Sequence, residues 1–420
     1  MQLEKKVAFN TLVQFFGKLI SSGIGFVITL IIARYFGVEG FGEFTKITAY
    51  VALFYLVSDF GLNAVFLKEE KKEKLSFINL LSLRIAWSAV LVFFALAILI
   101  FLPADLAGGK GYSLISKVGI LITLPTVLTY AVSLSFNALF QKNLRYDRSV
   151  LAASLGSLTT IFLLYIFVRV KLPLTFSLSS YLLGGMVGIT SAYFLAKKYL
   201  GKQISLADDF LIQNLTSWKT LFKKSLPLGL TLIFNLIYFR FDIFILAFAR
   251  PNIDVGIYGL AYKFFEFPLA IPTFFMNAIY PVILRSKLNP PAGGLKSKIT
   301  KKATVFLLTS SLAIGAACLI LAPLISLVKA DFTASILPFR ILSLSLPLFF
   351  LTSFYMWIYV ADGRQNKLLL VYGIGMVFNI LLNLIFIPKF GYNGAAVITV
   401  ISEGLVLFLL VKFRKNKNLK

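Results

Sequence analysis

The stretch "LIYFRFDIFILAF", residues 236–248, is apolar apart from two charged side chains, Arg240 and Asp242. On an α-helix, positions two apart point about 200° away from each other, so these charges face different neighbours. The chain has 420 residues, 59% hydrophobic and only 14% charged, against about 25% charged in a soluble domain. Its repeated long apolar runs predict membrane-spanning helices and disfavour the alternative of a large soluble core.

The composition excludes several classes of site. The chain has no histidine and one cysteine, Cys318. An intramolecular disulfide, a zinc cluster of Cys and His, and a Ser-His-Asp triad are therefore ruled out. We predict no catalytic residues and no metal site. The net charge of +25 is spread along short loops, which is typical of membrane topology, so we expect no nucleic-acid partner.

Twelve apolar segments are long enough to cross about 30 Å of hydrocarbon. The sequence thus predicts an all-α integral membrane protein with twelve transmembrane helices, arranged as two pseudo-symmetric six-helix bundles around a central cavity. The predicted helices are residues 8–34, 41–67, 76–102, 114–140, 149–168, 174–197, 224–249, 255–284, 303–328, 336–360, 367–388 and 392–412.

A weak internal repeat supports the two bundles. A shift of 216 positions places Gly40 on Gly256 and the Ala-Arg pair at 33–34 on the pair at 249–250, as expected of a duplicated six-helix unit. The predicted domains are an N-terminal bundle, a cytoplasmic connector and a C-terminal bundle, at residues 1–200, 201–223 and 224–420.

The basic residues predict the orientation in the membrane. The two termini and the even-numbered loops carry 28 of the 42 Lys and Arg residues, whereas the odd-numbered loops carry 8. Cytoplasmic loops are the ones enriched in Lys and Arg. We therefore expect a multi-pass protein of the plasma or inner membrane with both termini in the cytoplasm.

Ten charged residues lie inside the predicted helices. If all ten faced lipid, the free-energy cost of membrane insertion would be about 25–35 kcal/mol, at about 2.5–3.5 kcal/mol for each charge. We expect Lys46, Arg84 and Arg340 to extend toward nearby helix ends, so that replacement of Arg84 is tolerated. Lys263 and Glu266, spaced i,i+3, can pair. The ten residues are Lys18, Lys46, Arg84, Arg240, Lys263, Arg340, Asp59, Asp242, Glu266 and Glu403.

Polar stripes follow four of the predicted helices, the first, second, seventh and eighth. In the first helix the stripe has Lys18 at its centre, and in the seventh it includes Asp242. Such stripes favour a water-filled cavity, the alternative being a polar seam between helices. The residues that we predict to line this cavity are Asn10, Gln14, Ser21, Asn235 and Tyr238. Three prolines inside helices, Pro227, Pro268 and Pro272, are candidate hinges; the alternative is a static kink.

Two segments carry a resemblance to a known family. They are "ARYFGVEGFGEFTKITAYVALFYLVSDFGL", residues 33–62, and "IPKFGYNGAAVITVISEGL", residues 387–405. Both contain an F-G-x-x-G pattern, starting at Phe36 and Phe390. The chain resembles the polysaccharide-transporter branch, the O-antigen-type flippases, of the multidrug/oligosaccharidyl-lipid/polysaccharide (MOP) exporter superfamily.

The resemblance implies a flippase that works by alternating access. Its cargo would be a polyprenyl-diphosphate-linked oligosaccharide, moved from the cytoplasmic to the outer leaflet. A diphosphate needs cations, which Lys18, Arg240 and Lys263 can supply. The flippase would act as a monomer, with polymerase or glycosyltransferase components of the same pathway as further partners.

We expect no cofactor apart from a coupling Na⁺ or proton. Its candidate binding residues are the four carboxylates Asp59, Asp242, Glu266 and Glu403.

Two other functions are alternatives. A cation-coupled multidrug antiporter of the same superfamily would use the buried carboxylates, but the deep basic residues disfavour a cationic cargo. A membrane enzyme, such as an O-antigen polymerase or a glycosyltransferase, would need a sizeable external loop with catalytic side chains, and the predicted outer loops are short.

Overall fold

The computed structural model describes residues 2–69, 75–104, 109–200, 214–288 and 295–415, where every regular element is helical. Residues 201–213 of the predicted connector, and the side chains of Asn10 and Lys18, lie outside this description. The helices are α1 (Gln2–Asp59), α2 (Leu62–Glu69), α3 (Phe77–Phe101), α4 (Leu114–Thr123), α5 (Thr126–Lys142), α6 (Tyr146–Arg169), α7 (Leu174–Ser177), α8 (Ser179–Leu200), α9 (Asn214–Ala249), α10 (Asn252–Glu266), α11 (Ala270–Leu288), α12 (Leu295–Leu321), α13 (Ile336–Ser343), α14 (Leu346–Ala361) and α15 (Gln365–Lys415).

Many of these helices are long and apolar enough to cross a membrane. The described residues contain 7 such stretches, or up to 9 if each of two bent helix pairs counts as one span. Two of the seven, Leu19–Glu69 and Gln365–Arg414, have 51 and 50 residues. At 1.5 Å per residue each is long enough for two crossings of about 30 Å. The predicted count of twelve stays a prediction.

Glycine breaks both of the longest helices. Gly37 in α1 has φ 68° and ψ −172°, and Gly391 in α15 has φ 58° and ψ −141°. This backbone region is almost restricted to glycine. Both residues are the glycine that follows phenylalanine in the F-G-x-x-G pattern, so the pattern marks the points where the chain turns between consecutive helices.

The chain divides into two compact units. Unit 1 comprises residues 1–35 and 43–236, and unit 2 comprises residues 36–42 and 237–420. The segment 36–42 belongs to unit 2 because it packs closely on α10: a Cβ on Gly256 would lie 2.0 Å from the carbonyl oxygen of Val38. The predicted arrangement of the domains as two six-helix bundles stays a prediction.

In unit 1, α6 and α8 pack with their backbones in close contact. A Cβ on Gly184 would lie 2.0 Å from Thr160 Oγ1 and 2.6 Å from the carbonyl oxygen of Gly156. No larger residue fits there without movement of a helix. Small residues of this kind let helices approach closely in membranes, where van der Waals contact is a main source of helix association.

Lys46, also in unit 1, corrects an expectation. It does not extend toward solvent: its side chain is fully buried, and Nζ donates a hydrogen bond of 2.5 Å to the carbonyl oxygen of Gly111. Nearby, the buried carboxylate of Glu43 accepts hydrogen bonds from the hydroxyls of Ser113 (2.7 Å) and Ser116. Lys46 and Glu43 therefore hold the start of α4, and the loop before it, against α1.

In unit 2, the predicted eighth helix is split into α10 and α11. Residues 267–269 form a turn around Pro268, with hydrogen bonds from Leu269 N to Glu266 O (3.2 Å) and from Ile271 N to Pro268 O (3.0 Å). Proline lacks the N–H that a continuous helix would need there. Pro272 lies in the first turn of α11, where a missing N–H costs little, and Pro227 lies inside α9.

Candidate functional site

The charged side chains of unit 2 meet between α9 and α10. Arg240 donates a hydrogen bond to one oxygen of Glu266, and Lys263 Nζ lies 3.1 Å from the other. The guanidinium of Arg240 also lies over the ring of Tyr262, 5.3 Å from its centre. Two cations therefore share one carboxylate, and these three side chains, here called the basic cluster, have a net charge of +1.

Asp242 has different partners from Arg240. It accepts hydrogen bonds from the hydroxyl of Tyr258 and from the backbone N–H of Ile243 (2.8 Å). One turn further along α10, the hydroxyl of Tyr262 donates to the carbonyl oxygen of Phe239 (3.1 Å). Both charges in the quoted stretch thus contact the same neighbouring helix, α10, at different positions, and the expectation that they face different neighbours was wrong.

A second buried carboxylate, Glu403, lies on α15 and is 1% exposed. The hydroxyl of Tyr238 donates to its Oε2 at 2.7 Å, while Oε1 has no hydrogen-bond partner among the described residues. Within the described part of the chain, neither Glu403 nor Asp242 forms an ion pair. A buried carboxylate with an unsatisfied oxygen carries a desolvation cost that a bound proton or cation would reduce.

Unit 1 contains an ion pair of its own. Arg84 is fully buried and lies 3.4 Å from Asp59, whose side chain is 31% exposed. The guanidinium also donates to Asn63 Oδ1 (2.8 Å) and Ser135 Oγ (3.3 Å). The expectation that Arg84 extends toward a helix end was wrong, because these acceptors on three neighbouring segments hold it inside the unit.

The remaining predicted residues differ in their surroundings. Gln14 and Ser21 are exposed, Asn235 is half-buried, and Tyr238 is 5% exposed. The side chains of Asn10 and Lys18 lie outside the described residues. Among the residues for which a role was predicted, the structure brings Arg240, Lys263 and Glu266 together and places Tyr238 on Glu403. Their roles in transport stay predictions.

Sequence reasoning missed Tyr258 as the partner of Asp242. The spacing could have indicated it, because Tyr258 precedes Tyr262 by four residues and Glu266 by eight. This spacing places all three on the same face of α10. The pairing of Arg84 with Asp59, 25 residues apart, had no comparable local signal.

Comparisons with known proteins identify the family. Residues 7–287 match the family model described as "Polysaccharide biosynthesis protein". The chain belongs to this family. No curated protein sequence matches the chain.

Solved structures share the fold. A lipid II flippase, MurJ, in an inward closed conformation is 18% identical, with a TM-score of 0.74 over 97% of this chain and 88% of that chain. An inward-facing multidrug resistance MATE family transporter of the MOP superfamily is 14% identical, with a TM-score of 0.72 over 94% of this chain and 96% of that chain. A MOP superfamily transporter from Pyrococcus furiosus is 14% identical, with a TM-score of 0.66 over 98% of this chain and 95% of that chain.

These matches confirm the predicted all-α fold of a multi-pass membrane protein, and two of the structures that share it are of MOP superfamily transporters. The solved structures that share this fold are those of a flippase and of membrane transporters. At these identities the solved structures establish the fold alone, so the nature of the cargo has to be argued from the chain's own residues.

Proposed function

We propose that this protein is a flippase for a polyprenyl-diphosphate-linked oligosaccharide, the repeat unit of an O-antigen or another surface polysaccharide. The observation that carries the proposal is the basic cluster, in which Arg240 and Lys263 share the carboxylate of Glu266. Within these three side chains the cations outnumber the carboxylate, which favours an anionic ligand. The match to the polysaccharide biosynthesis family supports the same cargo.

The geometry of the basic cluster suggests how an anion would bind and leave. The side chains of Arg240, Lys263 and Glu266 are 22%, 36% and 30% exposed, so all three are partly accessible. A diphosphate can displace Glu266 and accept hydrogen bonds from the planar guanidinium and the ammonium. When the lipid leaves, Glu266 neutralises the cations again, which avoids two unpaired charges in the membrane.

For direction and location we propose transfer from the cytoplasmic to the outer leaflet of the cell membrane, with both termini in the cytoplasm. The distribution of Lys and Arg between the loops supports this orientation. The polyprenyl tail can remain in the bilayer while the head group crosses, so the protein's task is to lower the cost of desolvating sugar and phosphate. Alternating access of a monomer is the expected mode, with the enzymes that build or polymerise the oligosaccharide as pathway partners.

We further propose that Asp242 and Glu403 bind the coupling ion, Na⁺ or a proton. Both are buried, and their hydrogen-bond donors are tyrosine hydroxyls and one backbone N–H. A bound cation would supply the positive charge that these carboxylates lack. Asp59 and Glu266 are weaker candidates because each already has a basic partner.

The alternative is a cation-coupled multidrug antiporter. The same two carboxylates favour it, since a cationic drug could bind where we place the coupling ion. The basic cluster disfavours it, because Arg240 and Lys263 would repel such a cargo.

Transport by purified protein in liposomes distinguishes the two functions. We expect flipping of a fluorescent polyprenyl-diphosphate oligosaccharide and no efflux of a cationic dye. Arg240→Gln and Lys263→Gln should each raise the KM for the lipid at least about tenfold, as expected for loss of a charge-assisted hydrogen bond. Glu266→Gln should lower the KM, because it removes the competing anion. Arg340→Gln, at an exposed position on α13, is the control. Dye efflux without lipid flipping would refute the proposal.

A further inference from the structure

Unit 1 contains a cavity of about 410 Å³ that the proposed diphosphate site does not use. It lies between α5, α6 and α8, beside Tyr55 of α1. Its volume falls in the range of about 300–1,000 Å³ that is usual for sites binding small molecules. The described residues that line it include tyrosine, serine, threonine and asparagine and no charged side chain.

Several polar groups in the lining are available to a ligand. The hydroxyls of Tyr130, Tyr181, Ser133 and Ser157 make no hydrogen bond within the described part of the chain. The Asn137 side chain accepts one bond, from Ser149 Oγ at 3.1 Å, which leaves its amide N–H groups to donate. The wall therefore offers both donors and acceptors without a fixed charge.

Other lining groups are already satisfied and make the wall rigid. Tyr55 and Thr126 share a hydrogen bond of 2.5 Å between their hydroxyls, and Thr129 donates to the carbonyl oxygen of Thr126 at 3.0 Å. The rings of Tyr55 and Tyr130 lie 4.7 Å apart. Gly185 lets α8 pack closely on α5 at the cavity wall, since a Cβ there would lie 2.7 Å from Thr129 Oγ1.

This lining selects the chemical class of the ligand. A diphosphate would need a cation and a cationic drug would need a carboxylate, and the described lining has neither. An acyl chain would leave the tyrosine and serine hydroxyls without partners, at a cost for each buried group. A neutral ring with many hydroxyls satisfies these groups, and its apolar face can pack on an aromatic side chain.

We propose that this cavity binds an uncharged sugar ring of the lipid-linked oligosaccharide. The inference rests on the proposed flippase function and adds a subsite to it, in which hydroxyls and aromatic rings of unit 1 recognise the sugar. Selectivity between oligosaccharides then depends on α5, α6 and α8. A polar site of this kind discriminates strongly, because a ligand that lacks a matching hydroxyl leaves buried groups unpaired.

The test compares two variants on the same helix. Ser157→Leu fills the cavity, whereas Thr159→Leu, two positions along α6 and outside the lining, adds the same side chain elsewhere. The probe is a fluorescent polyprenyl diphosphate carrying a neutral trisaccharide, flipped by protein in liposomes. We expect Ser157→Leu to slow flipping about tenfold or more and Thr159→Leu to leave it unchanged. Tyr130→Phe, which removes one hydroxyl and keeps the ring, should give a smaller loss and serves if Ser157→Leu fails to fold.

A competing lipid that lacks a sugar distinguishes a loss of sugar binding from a loss of binding to the lipid diphosphate. Sugar-free polyprenyl diphosphate should inhibit flipping by wild type and by both cavity variants at the same concentration, because it does not use the cavity. Wild-type flipping rates in Ser157→Leu and Tyr130→Phe would overturn the sugar subsite and leave the proposed flippase intact. A wild-type protein that flips no lipid would overturn the flippase and the sugar assignment with it.

Discussion

Replacement of Arg84 by glutamine tests whether the buried ion pair of unit 1 stabilises the fold. The substitution removes the contacts of the guanidinium with Asn63 (2.8 Å), Ser135 (3.3 Å) and Asp59 (3.4 Å). Removing one member of a buried ion pair costs about 3–5 kcal/mol. Asp59 is 31% exposed, so water can partly solvate the remaining carboxylate, and we expect the lower end, about 3 kcal/mol.

The assay is thermal unfolding of the purified protein in detergent. For a folding unit of 150–250 residues, 1 kcal/mol corresponds to about 2–4 °C, so Arg84→Gln should lower Tm by about 6–12 °C. Arg340→Gln removes the same charge at an exposed position and should leave Tm nearly unchanged.

An unchanged Tm in Arg84→Gln would refute the reasoning. It would mean that the guanidinium leaves its buried position easily, as the initial expectation of an arginine extending toward a helix end supposed. A double variant in which apolar residues replace both Arg84 and Asp59 gives a further check. It should be more stable than Arg84→Gln, because it leaves no unpaired carboxylate behind.

Three other predictions concern stability and are checked by the same unfolding measurement. Gly184→Ala should destabilise unit 1 by at least about 2 kcal/mol through overpacking. Gly188→Ala is the control, because its Cβ would meet only ordinary contacts at 3.6 Å, and it should be tolerated. Equal Tm values for the two variants would contradict the close packing of α6 and α8. Gly391→Ala should cost about 1–3 kcal/mol because of the backbone conformation at that break, and a stable variant would show that the break is not needed. Tyr238→Phe removes the hydrogen bond at 2.7 Å to the buried Glu403 and should lower the free energy of unfolding by about 1.5–3 kcal/mol. An unchanged Tm would indicate that water solvates this carboxylate.

Part of the candidate site was accessible from the sequence and part was not. The i,i+3 spacing allowed a Lys263–Glu266 pair, and the structure contains it. That Arg240 joins the same carboxylate depends on the register of α9 against α10, which no local pattern specifies. For the same reason the predictions for Lys46 and Arg84 were wrong: the distance of a residue from a helix end says nothing about an acceptor on another segment of the chain.

The sequence by itself determined the membrane class, the all-helical fold and the positions of the two glycine breaks. These follow from the length and apolarity of local segments and from a backbone conformation that only glycine readily adopts. The tertiary structure decided which partner each buried charge takes and where a neutral, hydroxyl-lined cavity opens in unit 1. The physical reason is that hydrogen bonds and ion pairs between helices depend on how residues far apart in the chain are brought side by side, and apolar surfaces in a membrane allow many such arrangements.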